Sequence, residues 1–129
     1  MKRRIYFGDT DPFGVTFFAA YHRIFKEALD EFVESRGIPP ELFYRNPEEN
    51  YAFPITYSEA RFFKPTRFYD EIEVETYVKR LEPTKIVFEF KAFKEKDVVA
   101  MGILELTCID RNWKRRKIPE RIRKIFNHF

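Results

Sequence analysis

Cysteine occurs once in this chain, at Cys108, which excludes an intramolecular disulfide and suits a reducing compartment. Glycine occurs only four times in 129 residues, too rarely for a loop-rich or low-complexity protein. No apolar run approaches the roughly 20 residues that a membrane-spanning helix needs. The basic residues after Met1 are not followed by an apolar stretch, so no secretory leader is read there. Neither sign of charge dominates. Lys and Arg number 24 and Asp and Glu 21, a net charge of +3 that demands no nucleic-acid partner. A pI near 9.0 is nevertheless compatible with an anionic ligand. Together these absences point to one cytoplasmic globular domain over residues 1–129, without a membrane span.

Aromatic residues are what the chain has in excess. Sixteen phenylalanines predict a bulky, filled core and leave apolar surface for a subunit interface. Residues 3–7 alternate, with Ile5 and Phe7 on one face, and read as a short strand. A polar loop over residues 8–14 follows, where Pro12 and Gly14 stop that strand. Apolar residues then fall at Phe17, Tyr21, Ile24, Phe25, Ala28, Leu29, Phe32 and Val33, which is helical spacing. The helix is expected over residues 18–36, with Gly37 as its stop and Pro39 and Pro40 beyond.

Residues 39–51 read as a connector holding one helical turn near 41–44. From there the period is two. Strands are expected over residues 53–63, 70–81, 86–92 and 98–109, with turns at Lys64-Pro65, Glu82-Pro83 and residues 95–97. The last of them is apolar on both faces, which places it centrally in a sheet or against another subunit. Residues 119–126 read as a short terminal helix led by Pro119. The class is α+β: an antiparallel sheet whose one apolar face can be covered only by the one long amphipathic helix.

The chemistry-bearing candidates are few. Asp9 and Asp11 lie in Asp-Thr-Asp-Pro-Phe-Gly, and turn chemistry alone accounts for such a sequence. A carboxylate delivered just before a helix N-terminus is also an arrangement for acyl transfer, because the unsatisfied N–H groups there suit an oxyanion. A D-x-D also suggests a metal site or the aspartyl nucleophile of a phosphatase-like fold. That fold needs alternating strand–helix units in a longer chain, and this chain has one major helix. His22, Glu27 and Glu31 fall on the polar side of the helix, and Tyr21, Phe25 and Phe32 on its core stripe. Phe17, at the helix entry, is a candidate wall for an acyl pocket. Cys108 lacks a partner histidine and reads as a small buried residue. The run from Trp113 through Lys114, Arg115, Arg116 and Lys117 reads as a solvated basic turn, with RNA or coenzyme A phosphates as its rival ligands.

The segments GDTDPFGVTFFAAYHRIFKEA, EARFFKPTRFYDEIEVET and CIDRNWKRRKIPERI, in this order, resemble signatures of the hot-dog-fold acyl-CoA thioesterases of the 4-hydroxybenzoyl-CoA thioesterase type. The resemblance covers residues 4–125. It implies a sheet wrapped around a central helix, and hydrolysis of an acyl-CoA thioester with neither metal nor organic cofactor. It implies Asp11 as nucleophile or general base, and the Phe18 backbone N–H as the group that polarises the thioester carbonyl, with Asp9 left to hold the loop. It also implies a homodimer or homotetramer with sites between subunits, and coenzyme contacts near Thr84 and Lys85. A non-catalytic module that binds acyl-CoA or acyl carrier protein is the alternative. A hot-dog dehydratase would need an Asp–His motif that is absent.

Overall fold

A computed structural model describes residues 1–127; residues 128 and 129 of the expected domain lie outside the described residues. The elements run β1 (Lys2–Arg4), α1 (Ala20–Ser35), α2 (Pro40–Tyr44), β2 (Arg45–Asn46), β3 (Tyr51–Ala52), β4 (Ile55–Phe62), β5 (Glu71–Leu81), β6 (Lys85–Lys94), β7 (Asp97–Thr107) and α3 (Glu120–Phe126). Five strands form one antiparallel sheet in the order β1-β5-β6-β7-β4, and β2 and β3 pair separately.

Alternation decides which face each strand buries. Val74, Ala92 and Ala100 are linked in register across β5, β6 and β7, as are Val78, Phe88 and Leu104, and all six are buried. Opposite them, α1 turns in Tyr21, Ile24, Phe25, Ala28, Leu29 and Val33. Phe25 stacks on Phe90 with ring centroids 5.2 Å apart. The other sheet face carries Glu75, Tyr77, Lys79, Glu89 and Lys91. Register shifts between Val78 and Arg80 and between Ala92 and Phe93 add local twist, which helps the sheet curl around the helix. This is the expected hot-dog arrangement.

Two differences from the sequence reading bear on the site; the ends of the later strands shift by one or two residues. The first strand ends at Arg4, and residues Phe7–Asp9 make a 3-10 turn. The Asp9 carboxylate captures the Tyr6 N–H at 2.8 Å and turns the chain, so Ile5 is buried while Phe7 stands 79% exposed. The helix begins at Ala20, because residues 17–19 form a turn in which Phe17 C=O accepts the Ala20 N–H. Its end is as expected: Gly37 takes φ +88°, and Ile38 N–H returns to Val33 C=O.

β7 lies between β6 and β4, and its outward Met101 and Ile103 are half-buried by neighbours in the sheet. β7 is thus central, as expected, and β4 is an edge of the sheet, with Ile55, Tyr57 and Phe62 exposed. The phenylalanines divide by place. Phe43, Phe53, Phe88 and Phe126 plug the core under α3, whereas Phe7, Phe13, Phe17, Phe18, Phe62, Phe63 and Phe68 are exposed along two segments, residues 7–18 and 62–68.

Candidate active site

Those two segments are fastened to each other. Thr10 and Thr16 bridge as a small hairpin, Val15 bridges to Arg67, Thr16 N–H donates to Thr66 C=O at 2.7 Å, and Phe68 N–H to Gly14 C=O at 3.3 Å. Gly14 closes the hairpin at φ +79°, a left-handed conformation that favours glycine. Within it Asp11 Oδ1 accepts the N–H groups of Phe13 at 2.8 Å and Val15 at 3.3 Å. The turn reading of Asp11 is therefore correct for one oxygen. The other, Oδ2, receives no hydrogen bond among the described residues, and the residue is only half-buried.

Asp9 is wholly different. It is 2% exposed, and its carboxylate is gripped by Arg3 Nη1 at 2.5 Å, Arg23 Nη2 at 2.7 Å and the Tyr6 N–H. Arg3 also bonds Glu27 at 2.7 Å, so β1, the 3-10 turn and α1 share one charge network. Burial alone would raise the Asp9 carboxyl, but the Arg3, Tyr6 and Arg23 hydrogen bonds outweigh it and hold it at about 2. The sequence reading has Asp9 hold the loop; it bonds the local Tyr6 N–H and, beyond the loop, two arginines from other elements. The Asp9 carbonyl then accepts the Phe17 N–H at 2.7 Å, which fixes the helix entry. Beyond that point no hydrogen bond is donated by the backbone N–H of Phe18 or Ala19 among the described residues.

A cleft of about 310 Å³ opens between this entry and the 62–66 segment, lined by Thr16, Phe18, Tyr21, Phe62, Phe63 and Thr66 among others. Its walls are mainly rings, and its floor carries hydroxyls. Tyr21 Oη lies 2.8 Å from Thr66 Oγ1, which lies 2.6 Å from Thr16 Oγ1. Burial, aided by the charge of Asp70, pushes the Tyr21 phenol above its ordinary pKa. Sequence reading assigned Tyr21 to the core stripe and passed over Thr16 and Thr66. The available signal was a hydroxyl on a core-facing aromatic, which must find a partner when buried.

The structure brings Phe18 to the cleft and Asp11 to the hairpin whose Val15 lines it. Phe17 packs on Phe18, ring centroids 4.6 Å apart, and does not itself line the cleft. Thr84 and Lys85 are not brought there within one subunit. Lys85 pairs with Thr107 while Phe62 pairs with Ala100, seven residues away along β7, or roughly 23 Å at strand spacing. Lys85 Nζ is engaged by Glu105 at 3.2 Å. His22 bonds Ser58 on β4 at 2.5 Å, and Glu27 belongs to the Asp9 network. In the basic run, Arg116 Nη1 donates to the carbonyls of Glu49 and Asn50, and Asp110 caps the turn. Among the described residues no group of His, Cys, Asp and Glu is arranged to hold a metal ion, and no helix is long and apolar enough to cross a membrane.

Comparison with known proteins gives a consistent picture. The family model described as the thioesterase-like superfamily matches residues 5–126. A 1,4-dihydroxy-2-naphthoyl-CoA hydrolase of Gloeothece citriformis (strain PCC 7424) is 29% identical over 122 residues, covering 92% of this chain and 84% of the relative. A gentisyl-coenzyme A thioesterase of known structure superposes with a TM-score of 0.86 at 25% identity, over 98% of both chains. A 1,4-dihydroxy-2-naphthoyl-CoA thioesterase from Synechocystis shares the fold, with a TM-score of 0.88 at 18% identity, over 100% of this chain and 95% of its own.

Proposed function

We propose that this chain, which belongs to the thioesterase-like superfamily, hydrolyses an acyl-CoA thioester to the free carboxylic acid and coenzyme A. The observation that carries this reading is local. A carboxylate with one uncommitted oxygen, Asp11 Oδ2, sits in a hairpin bordering an apolar cleft, and the cleft is flanked by backbone N–H groups at a helix entry. The relatives act on CoA thioesters by name, which agrees with that chemistry.

In the reaction so read, the thioester carbonyl lies near the Phe18 N–H, which has no competing acceptor among the described residues. Charge that develops on the carbonyl oxygen is stabilised there, together with the partial positive end of α1. Asp11 takes a proton from water as the water oxygen bonds to the carbonyl carbon. The carbon–sulfur bond then breaks, and the departing thiolate of coenzyme A takes up the proton. Direct attack by Asp11, with an anhydride that water opens afterwards, uses the same geometry. Phe17, tilted against Phe18, holds the ring wall against which the acyl group lies.

The active assembly is read as a homodimer, or a homotetramer of two such pairs. The free edge of β4 and the seven exposed phenylalanines beside the cleft are the surface that a second copy would cover. Thr84 and Lys85 contact coenzyme A in this reading only where a partner subunit brings its own β5–β6 turn to the cleft. We read the protein as cytoplasmic, where acyl-CoA is found, and acyl carrier protein as a further partner.

The test is a panel of short-chain, long-chain and aromatic acyl-CoAs, assayed with wild type and Asp11→Asn. Hydrolysis by wild type that falls at least a hundredfold in the variant supports the assignment; a loss of that size is typical when a general base is removed. Equal hydrolysis by both proteins sinks it. Tight binding of acyl-CoA or acyl carrier protein with no turnover favours a non-catalytic module.

A further inference from the structure

Past β7 the chain folds back in a short hairpin that the chemistry of the cleft does not use. Ile109 bridges Arg115, Asp110 N–H donates to the Lys114 carbonyl at 2.8 Å, and Trp113 N–H to the Asp110 carbonyl at 3.0 Å. Asp110 Oδ1 accepts the N–H groups of Asn112 and Lys114. Arg111 bonds Asn50 Oδ1, and Arg116 the carbonyls of Glu49 and Asn50, so the hairpin is fastened to its neighbour. From this firm base Trp113 points outward: it is 79% exposed, and its ring packs on no other among the described residues. Its backbone sits at φ +63°, a left-handed conformation that favours glycine or asparagine and is unusual for so large a side chain. Around the ring, residues 111–117 hold five cations and no carboxylate, more positive charge than the +3 that the whole chain nets. None of the five forms an ion pair among the described residues. In the adjoining turn Glu49 is engaged by Arg121 at 2.7 Å, and Glu48 is left as the one opposing carboxylate without an ion pair there.

We propose that this hairpin docks the protein on an anionic phospholipid surface, with the Trp113 ring at headgroup depth and the five cations over the lipid phosphates. The inference stands apart from the hydrolase reading. An amphipathic ring belongs at the boundary between water and acyl chains, and an anionic leaflet carries the negative potential that draws a basic cluster to it. Shape favours a membrane over RNA. The hairpin tip offers one ring, whereas a single strand is bound along a basic groove in which several rings stack successive bases. The strained backbone points the same way. Glycine at this position would relax it, so the ring is held at a cost to stability without packing in return, and an outside partner accounts for that. Location suits the role as well. Phe62, at the cleft, pairs with Ala100, and Ile55 with Leu106, so the hairpin leaves β7 at the end roughly 20 Å from the cleft at strand spacing. A docked subunit keeps its own cleft open to water.

Trp113 is the chain's one tryptophan, so its fluorescence reports the site directly. The protein is titrated with vesicles of phosphatidylcholine alone and of an equal mixture with phosphatidylglycerol, and bound protein is measured by sedimentation. The mixed vesicles are expected to shift the emission to the blue and to carry the protein down, and the neutral vesicles to do neither. Added salt should weaken the binding. Lys114→Gln, Arg115→Gln and Lys117→Gln together should lower the partition coefficient about a hundredfold, at roughly fivefold per cation. Trp113→Gly should lower it about tenfold, the worth of roughly 60 Å² of apolar surface. Its urea midpoint should match or exceed that of wild type, because the left-handed backbone is relaxed. All four side chains are exposed, so these variants should fold. Absence of binding to the mixed vesicles overturns the inference, and so does binding that both variants retain. A single-stranded oligouridylate that binds while both vesicles fail transfers the patch to nucleic acid and overturns it too. A lowered midpoint in Trp113→Gly with vesicle binding intact makes the ring a structural prop, with the same consequence.

Discussion

The backbone carbonyl of Asp9 accepts the Phe17 N–H at 2.7 Å, while its carboxylate is clamped by Arg3 and Arg23. One residue thus ties β1, the 3-10 turn and the entry of α1 to a single point. It does so two residues before Asp11 and next to the N–H proposed to face the thioester.

Replacing Asp9 with Asn removes the charge but keeps an acceptor for the Tyr6 N–H. The Arg3 side chain is only 11% exposed and would keep Glu27 as its one carboxylate partner, beside the Arg4 carbonyl. Breaking a buried pair from one side is costly, and with Glu27 still facing Arg3 the expected loss is about 2 kcal/mol, below that of a fully uncompensated charge. Urea denaturation measures it. Substituting Glu27 as well should cost more than the two single losses added together, because only the double variant leaves the Arg3 guanidinium without a carboxylate.

The same site sets an acid dependence. Asp9 is held at about 2, below the 3.8 of an unfolded aspartate. A carboxyl depressed by folding stabilises the native state above its unfolded pKa, and that contribution is lost as pH falls through the folded value. Wild type should therefore lose about 2 kcal/mol from this group between pH 4 and pH 2, at 1.36 kcal/mol per pKa unit. Denaturant midpoints measured across that range should fall more steeply for wild type than for Asp9→Asn. Parallel slopes would assign the acid sensitivity elsewhere, Asp70 with Lys94 being the next group held below its ordinary value.

Much of this molecule is legible in its residue pattern, and the limits have physical causes. The stripe from Tyr21 to Val33 and the alternation in β5 and β6 follow from burial on one face, so period alone finds them. Phe7 defeats the same logic: it continues the alternation of Ile5, yet the Asp9 side chain turns the backbone first. Only the likeness of its loop to a family signature singles out Asp11, since its local sequence reads as a turn and the Asp11 Oδ1 bonds show that it is one. The Tyr21–Thr66–Thr16 contacts join positions 45 to 50 residues apart, which no local window contains.

Gly102 shows the cost of bringing helix and sheet together. It sits in β7 opposite Phe90 and Ala60, and an added Cβ there would overlap the Phe25 ring and approach Glu59 C=O at 3.1 Å. Gly102→Ala should destabilise by about 2 kcal/mol through overpacking. Phe25→Leu in the same chain should recover part of that loss, and a double-mutant cycle by thermal unfolding reads the coupling. Additive effects would mean that the ring simply moves aside.

Cys108 offers a probe of opening that touches none of these groups. It is fully buried, and burial pushes its thiol from 9.0 up to about 11, with Arg116 only partly opposing the shift. The thiolate is the reactive species, so two pKa units suppress reaction at neutral pH about a hundredfold before access is considered. Native protein should therefore resist an aromatic disulfide reagent at pH 7.5, and urea-unfolded protein should react at the rate of a free thiol. If the native rate is independent of reagent concentration, it reports unfolding. Asp9→Asn and Gly102→Ala should then each raise that rate, most in whichever variant loses more stability.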